Sequence, residues 1–446
     1  MVHLFERRGR RFLLDVPSGA LHELTDVAYR LAEITGAPLE SETVPADILN
    51  KLTAEGFTAE DINDAYSDLR ELQTMGTLYS EDVKYPIIDT GIVKSICLNI
   101  AHDCNLRCKY CFASTGDYDH SRELMSLDTA KAAIDFLLER SAGIKHLELD
   151  FFGGEPLMNW DTVKKAVEYG RMREKEYGKE IAFTLTTNGT LLDDEKIDFI
   201  NEHISNVVLS IDGRRCVNDS VRTFLDGSGC YDDILPKYKK LVAGRGDKDW
   251  FVRGTFTRQN LDFASDVISL ADEGFDSISI EPVVLDASDP LSLREEDVPA
   301  ICREYERLAD ELVKRREEGR PVNFFHFVVE LDAGPCVYKR IKGCGSGSEY
   351  VAITPNGDIY PCHQFVGVDE YRMGSVLDGS FDKTIRKRFA NNNIMTNPEC
   401  EKCWAKYFCG GGCAANNCKF NGCPEKPYNI TCELERARLE CAFSTM

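Results

Sequence analysis

From residue 94 onward the chain repeats one unit six times, an apolar run of strand length followed by a segment able to form a helix. The strand candidates are residues 95–101, 145–152, 181–187, 206–211, 250–257 and 277–284. Strands separated by helix-length connections argue for a parallel sheet with right-handed crossovers. The expected class is α/β, an open or partial (β/α)6 barrel over residues 91–290 with its ligand-binding loops at the carboxyl ends of the strands. Each motif described below falls at such an end.

The flanks differ in pattern. Residues 3–8, 11–16 and 19–24 alternate apolar and polar side chains, with Gly9 and Pro17-Ser18-Gly19 as turns, which predicts three short strands. Helical periodicity follows at 25–34, 46–54 and 58–75, the last with Thr58 as N-cap and Asp61 near the positive helix end. Residues 1–80 therefore read as a small β-then-α unit, joined to the barrel by a linker around Pro86. Beyond the barrel, residues 294–318 predict a long charged helix in a helical bridge at 291–335. The final region, 336–446, shows little periodicity apart from a hairpin, 349–354 and 358–361, joined through Pro355-Asn356-Gly357. A region this poor in core residues needs staples, and its cysteines are the supply.

Composition narrows the function. With 43% hydrophobic and 29% charged residues and no long apolar run, the chain reads as globular, with no membrane partner. Its start, MVHLFERRGRR, does not read as a signal peptide, so a cytoplasmic location is expected. A formal net charge of −22 without a basic stripe argues against nucleic acid. Eighteen cysteines in such a chain favour thiolate ligation of metal over a disulfide framework, and they cluster at 104–111 and 336–441.

The first cluster, Cys104-Asn105-Leu106-Arg107-Cys108-Lys109-Tyr110-Cys111, follows the first barrel strand. Three thiolates in a C-x3-C-x2-C loop can hold three corners of a [4Fe-4S] cluster and leave the fourth iron open for chemistry. Zinc is the competing reading, but a structural zinc site wants four ligands. Three more motifs end strands: Gly153-Gly154-Glu155-Pro156, Thr186-Thr187-Asn188-Gly189 and Ser210-Ile211-Asp212-Gly213, the last followed by Arg222. Glycines let a ligand approach the backbone closely, hydroxyl and carboxylate groups suit ribose, and an Arg fork suits a carboxylate. Each of these is also ordinary turn chemistry.

The cysteine triple, with Tyr110 before its last member, resembles the signature of the radical S-adenosylmethionine (SAM) family. The resemblance implies a radical SAM barrel, catalytic and cluster-binding roles for Cys104, Cys108 and Cys111, and cleavage of SAM to methionine and a 5′-deoxyadenosyl radical. It makes Tyr110, Gly153, Gly154, Glu155, Asn188, Ser210, Asp212 and Arg222 the candidate SAM-binding residues. The downstream cysteines are similar to the SPASM array of peptide-modifying relatives. By that resemblance Cys400, Cys403, Cys409 and Cys432 hold one auxiliary [4Fe-4S] cluster, and Cys344, Cys362 and Cys413 hold another, giving three clusters in all. Two fully ligated auxiliary clusters need eight thiolates and the array supplies seven. The eighth position is left to a substrate cysteine, with Cys336, Cys418 and Cys423 as alternatives.

The N-terminal unit resembles the winged-helix-like, PqqD-like recognition elements of enzymes that modify ribosomal peptides. Such an element takes a leader peptide as an added strand, here at residues 19–24 beside the third helix. The whole order resembles six-cysteine peptide (SCIFF) maturases and sactionine synthases. That implies a Cys sulfur-to-carbon thioether crosslink in a cysteine-rich precursor, and an electron donor such as flavodoxin or ferredoxin. Two alternatives stand beside it. One is a sulfatase-maturating, formylglycine-generating enzyme, whose relatives carry Asp where this chain has His363. The other is a non-catalytic iron-sulfur or zinc peptide-binding protein.

Overall fold

The computed structural model describes residues 1–84, 89–118, 121–329, 331 and 341–446. The N-terminal unit is an antiparallel meander of β1 (Val2–Arg7), β2 (Arg10–Asp15) and β3 (Ala20–Leu24), followed by helices α1 (Asp26–Ile34), α2 (Ala46–Ala54) and α3 (Ala59–Thr74). Thr25 and Thr58 accept the Ala28 and Asp61 amide N–H groups, capping donors that the first turns of α1 and α3 leave unpaired. Alternation along β2 gives the meander two apolar faces. Leu13 packs with Leu31, Leu52, Ile62 and Leu69 of the unit's own helices. Phe12 and Leu14, with Phe5 of β1, pack instead against Tyr407, Leu439 and Phe443 of the C-terminal region.

The six expected barrel strands form as β4 (Ser95–His102), β6 (His146–Gly153), β7 (Glu180–Thr187), β8 (Asn206–Ser210), β9 (Asp249–Phe256) and β10 (Ser277–Pro282), with a two-residue strand β5 (Glu123–Leu124) pairing with β4. They lie parallel in the order β10-β9-β8-β7-β6-β4. The crossovers use α4 (Leu127–Arg140), α5 (Trp160–Tyr177), α6 (Asp194–His203), α7 (Arg215–Val221), α8 (Tyr231–Ala243) and α9 (Ala264–Asp272). Their apolar faces and the outward side chains of the strands, such as Leu149, Phe151, Phe183 and Leu209, form one core. The other strand face turns inward and holds the polar residues, among them Asp150, Ser210, Arg253 and Glu281.

At the far edge β11 (Asn323–Phe324) pairs with β10, after α10 (Val298–Glu317), the long helix expected from residues 294–318. On the other edge the structure goes beyond the sequence reading. The hairpin forms as β12 (Tyr350–Ile353) and β13 (Asp358–Tyr360), but β12 also pairs parallel with β4, so the barrel sheet runs on into the C-terminal region through β14 (Gly374–Ser375) and β15 (Ser380–Phe381).

The C-terminal region is also more helical than its pattern suggested. The helix Asn429–Ser444 packs along α10. Ile430, Leu434 and Ala442 face the barrel core, while Leu439 and Phe443 meet the N-terminal meander. A helix buried on several sides carries no single apolar stripe, which is why periodicity did not reveal it. The expected linker is tied to this region as well. Asp82 accepts from Lys406 Nζ at 2.6 Å and from Tyr407 Oη at 2.7 Å, and Asp89 pairs with Arg386. Among the described residues no helix is long and apolar enough to cross a membrane.

Candidate active site

The carboxyl ends of β4, β6, β7, β8, β9 and β10 surround a cavity of about 210 Å³. Cys104, Cys108 and Cys111 form one wall of it, on the loop after β4. That loop is held by backbone bonds to the end of α7 and the chain after it: Lys109 N–H donates to Val221 O at 2.9 Å and Arg107 N–H to Thr223 O at 2.7 Å. Arg107 also folds back to donate to Cys104 O at 2.6 Å. On its other side the loop lies against the glycine pair after β6. A Cβ on Gly154 would sit 2.2 Å from Asp103 O, so only glycine permits this approach. Burial pushes the Cys104 and Cys108 thiols up to about 11 and about 12, and raises Cys111 as well. Such thiols become thiolates when a cation compensates the charge.

Glu155, expected to contact SAM, lines the cavity but spends its carboxylate on the fold. Oε1 accepts from Leu157 N–H at 3.0 Å and from Thr187 Oγ1 at 2.7 Å, and Oε2 accepts from Asn188 N–H at 2.8 Å. It thereby locks the end of β6 to the end of β7. Burial raises its pKa against these three donors. Asn188 reaches the cysteine loop: Nδ2 donates to Cys104 Sγ at 3.6 Å and to Asn105 Oδ1 at 3.0 Å.

Tyr110, Asp212 and Arg222 form one buried network. Tyr110 Oη donates to the Asp212 carboxylate at 2.7 Å and accepts from Arg222 Nη1 at 2.8 Å. Thr255 N–H donates to Asp212 Oδ1 at 2.9 Å, and the Arg222–Asp212 pair itself stands at 4.0 Å. Tyr110 and Arg222 line the cavity together with Ser210, while Asp212 is the fully buried support behind them. Among the described residues nothing hydrogen-bonds the buried Arg222 Nε.

Sequence reasoning named His363 only as a departure from a relative's pattern and did not place it, Phe112 and Phe152 together in the cavity lining. Phe152 stacks on His363 with ring centroids 4.8 Å apart, and Phe112 lies 5.3 Å from the same imidazole. Tyr350 Oη is 3.2 Å from His363 Nδ1. Burial pushes His363 down to about 4, so its ring is neutral at pH 7. Arg253 and Glu281 complete the lining as an ion pair.

The C-terminal thiols gather in two sets. Cys400, Cys403, Cys409 and Cys432 line a second cavity of about 120 Å³. Cys362 feels the charges of Cys413 and Cys344, and burial pushes its thiol far up. Of the alternative ligands, Cys418 Sγ lies 3.1 Å from Tyr371 Oη, Cys423 lines a separate groove beside Glu425, and Cys336 lies outside the described residues. Among the described residues no three His, Cys, Asp or Glu side chains close on the position of a single metal ion. The first triple and the set at 400–432 stand around open volumes instead.

These residues fit the groups that the resemblance implies. Three sulfurs on one wall suit a cluster with one open iron, and the Arg222 guanidinium, which lines the same cavity, suits a carboxylate beside it. The N-terminal unit presents a further concavity of about 520 Å³, lined by Leu21, Glu23, Leu24, Asp68, Leu72 and Met75 between β3 and α3. β3 is the outer strand of its sheet.

Known proteins share these parts. Residues 98–247 match the model of the Radical SAM superfamily, and residues 344–404 match the model of an iron-sulfur cluster-binding domain, SPASM. The chain is 22% identical over 414 residues to the radical SAM cyclopropyl synthase TigE of Paramaledivibacter caminithermalis, covering 87% of this chain and 79% of TigE. It is 24% identical over 338 residues to the cysteine-type anaerobic sulfatase-maturating enzyme of Clostridium novyi, covering 70% and 86% of the two chains. Among solved structures it shares its fold with anSMEcpe with bound AdoMet, at a TM-score of 0.65 and 20% identity over 78% of this chain and 97% of that one. Streptococcus suis SuiB bound to S-adenosylmethionine gives a TM-score of 0.54 and 17% identity over 95% and 97%. The chain thus carries a radical SAM domain followed by a SPASM iron-sulfur cluster-binding domain.

Proposed function

We propose that this protein is a peptide maturase that joins a cysteine sulfur to a carbon of another residue in a ribosomally made, cysteine-rich peptide. One observation carries the reading: a single cavity is lined both by Cys104, Cys108 and Cys111 and by His363, the neighbour of Cys362. A hydrogen-abstracting centre and a second thiol-rich centre then face one substrate volume. When bound, a [4Fe-4S] cluster and SAM supply a carbon radical able to take hydrogen from an unactivated carbon.

The protein binds, orients and shields. Cys104, Cys108 and Cys111 hold the first cluster. Arg222 takes the SAM carboxylate, held in place by Tyr110 and Asp212, while Ser210 and the Gly153-Gly154 backbone meet the rest of the molecule. Glu155 and Asn188 fix the strand ends that carry these contacts. The wall of Phe112, Phe152 and His363 keeps water from the reacting carbon. Cys400, Cys403, Cys409 and Cys432 hold one auxiliary cluster. Cys344, Cys362 and Cys413 hold another, with a place for the substrate thiolate. The leader of the precursor adds to the free edge of β3 beside α3. A flavodoxin or ferredoxin serves as electron donor.

A second reading, oxidation of a cysteine or serine to formylglycine, is favoured by the similarity to the Clostridium novyi enzyme over 86% of that enzyme. His363 and the N-terminal unit weigh against it. Anaerobic incubation of the cluster-loaded protein with reductant, SAM and the cysteine-rich peptide encoded beside its gene separates the two. Loss of about two hydrogens per crosslink supports thioether formation. A hydrazide-reactive aldehyde supports the second reading, and no deoxyadenosine under any reducing condition refutes both.

A further inference from the structure

Two charged residues of the cavity have no part in the mechanism above. Arg253 on β9 and Glu281 on β10 form an ion pair, Nη2 to Oε2 2.5 Å, at the wall of the 210 Å³ cavity. They sit on neighbouring strands inside the barrel, yet 40% and 35% of their side-chain surfaces stay open. A guanidinium has five N–H donors. Among the described residues Arg253 donates to Glu281 alone, which leaves donors free toward the cavity.

The pair is braced from behind. His326 Nε2 lies 4.0 Å from Glu281 Oε1 and 3.0 Å from Ser279 Oγ, and its Nδ1 accepts from Arg438 Nη1 at 2.9 Å. Burial pushes His326 down to about 3, so a neutral imidazole stands there and leaves the charge of Glu281 to Arg253.

A pair whose charges cancel favours a neutral ligand that offers a donor and an acceptor side by side. An acidic side chain would meet Glu281 and a basic one Arg253, each at an electrostatic cost. A peptide amide meets neither objection. The position agrees: Arg253 is the register partner of Ser210 on β8, one strand from the proposed SAM contact. After Glu281 the wall continues through Pro282, Val283 and Val284, an apolar surface for an extended segment.

We propose that Arg253 and Glu281 form the subsite that grips the backbone amide next to the residue losing hydrogen, Arg253 donating to its C=O and Glu281 accepting its N–H. The inference rests on the peptide reading above. It adds that the gripped residue is uncharged and is held by its main chain.

The test uses the cluster-loaded full chain, SAM, a chemical reductant and the synthetic cysteine-rich precursor, prepared with single backbone amides replaced by esters. The readout is SAM cleaved per peptide product. One ester position is expected to raise this ratio about tenfold with the unmodified protein, the loss of one charged hydrogen bond. Glu281→Ala is expected to raise it by a similar factor with the all-amide peptide, and to show less than about twofold further change with that ester. Arg253→Lys, which keeps the charge but loses the planar fork, is expected to raise the ratio without lowering the iron content, so a folding defect is separable from a lost contact. The subsite is overturned if every ester is processed like the amide, or if the ester and Glu281→Ala penalties multiply in full. Unmodified protein that cleaves SAM but leaves every amide precursor unchanged overturns the peptide reading and the subsite together.

Discussion

The carboxamide of Asn188 donates to the sulfur of Cys104 across 3.6 Å, which ties the end of β7 to the first thiol of the cysteine loop. A donor to a cluster sulfur stabilises the more negative, reduced state. Asn188→Ala is expected to lower the reduction potential of the first cluster by on the order of tens of millivolts. Redox titration followed by electron paramagnetic resonance measures it, and an unchanged potential would show that the contact carries no electronic weight.

Tyr110 is the hinge between Asp212 and Arg222, bonded at 2.7 Å to one and 2.8 Å to the other. Tyr110→Phe removes both bonds while keeping the ring. The SAM KM is expected to rise about tenfold, since a hydrogen bond to a charged group is worth about 1.5–3 kcal/mol. Steady-state kinetics with SAM as the varied substrate test this, and a fall in kcat alone would contradict a positioning role.

Asp150 faces the barrel interior, where burial and then the neighbouring Glu148 raise its pKa from 3.8 to about 6. The folded chain thus keeps a proton that the unfolded chain has lost. The contribution to stability is full below pH 3.8 and disappears as pH rises through about 6. Asp150→Asn is therefore expected to stabilise the fold by about 1–3 kcal/mol at pH 8 and by little at pH 4. Thermal unfolding at the two pH values decides, and an equal gain at both would refute the assignment.

Cys432 and Cys344 belong to different thiol sets. On the proposal of three [4Fe-4S] clusters, Cys432→Ser and Cys344→Ser are each expected to reduce bound iron from about 12 to about 8 per chain. Iron and acid-labile sulfide analysis of anaerobically purified protein checks this. Identical absorption spectra of the two variants would argue that both residues serve one cluster.

The strands of the barrel were legible because apolar residues facing the helices recur at every second position, as Leu147, Leu149 and Phe151 do on β6. The cysteine loop was legible from spacing alone. Pairing across sequence was not. Nothing in residues 349–354 announces that Tyr350 lies beside Ser95 in a parallel pair. Glu155 shows a different gap: its motif marked the right strand end, but only the fold reveals that Thr187, Asn188 and Leu157 consume its carboxylate. Arg253 and Glu281 escaped notice because a lone charge in a strand reads as solvent-facing until the inward face of the barrel is known.

The seam between the meander and the C-terminal helix has a bearing on how such proteins diversify. His3 stacks on Trp404, the residue after Cys403, with ring centroids 3.9 Å apart, and Phe5 lies against Phe443 at 6.1 Å. The front end of the chain is thus one layer of side chains away from a thiol set it precedes by some four hundred residues. Grafting a foreign first unit onto this barrel would leave a mismatched joint at Trp404 and Phe443. The joint therefore couples the first unit to the residues around Cys403, and a chimaera is expected to be stable only when both sides of it are transplanted.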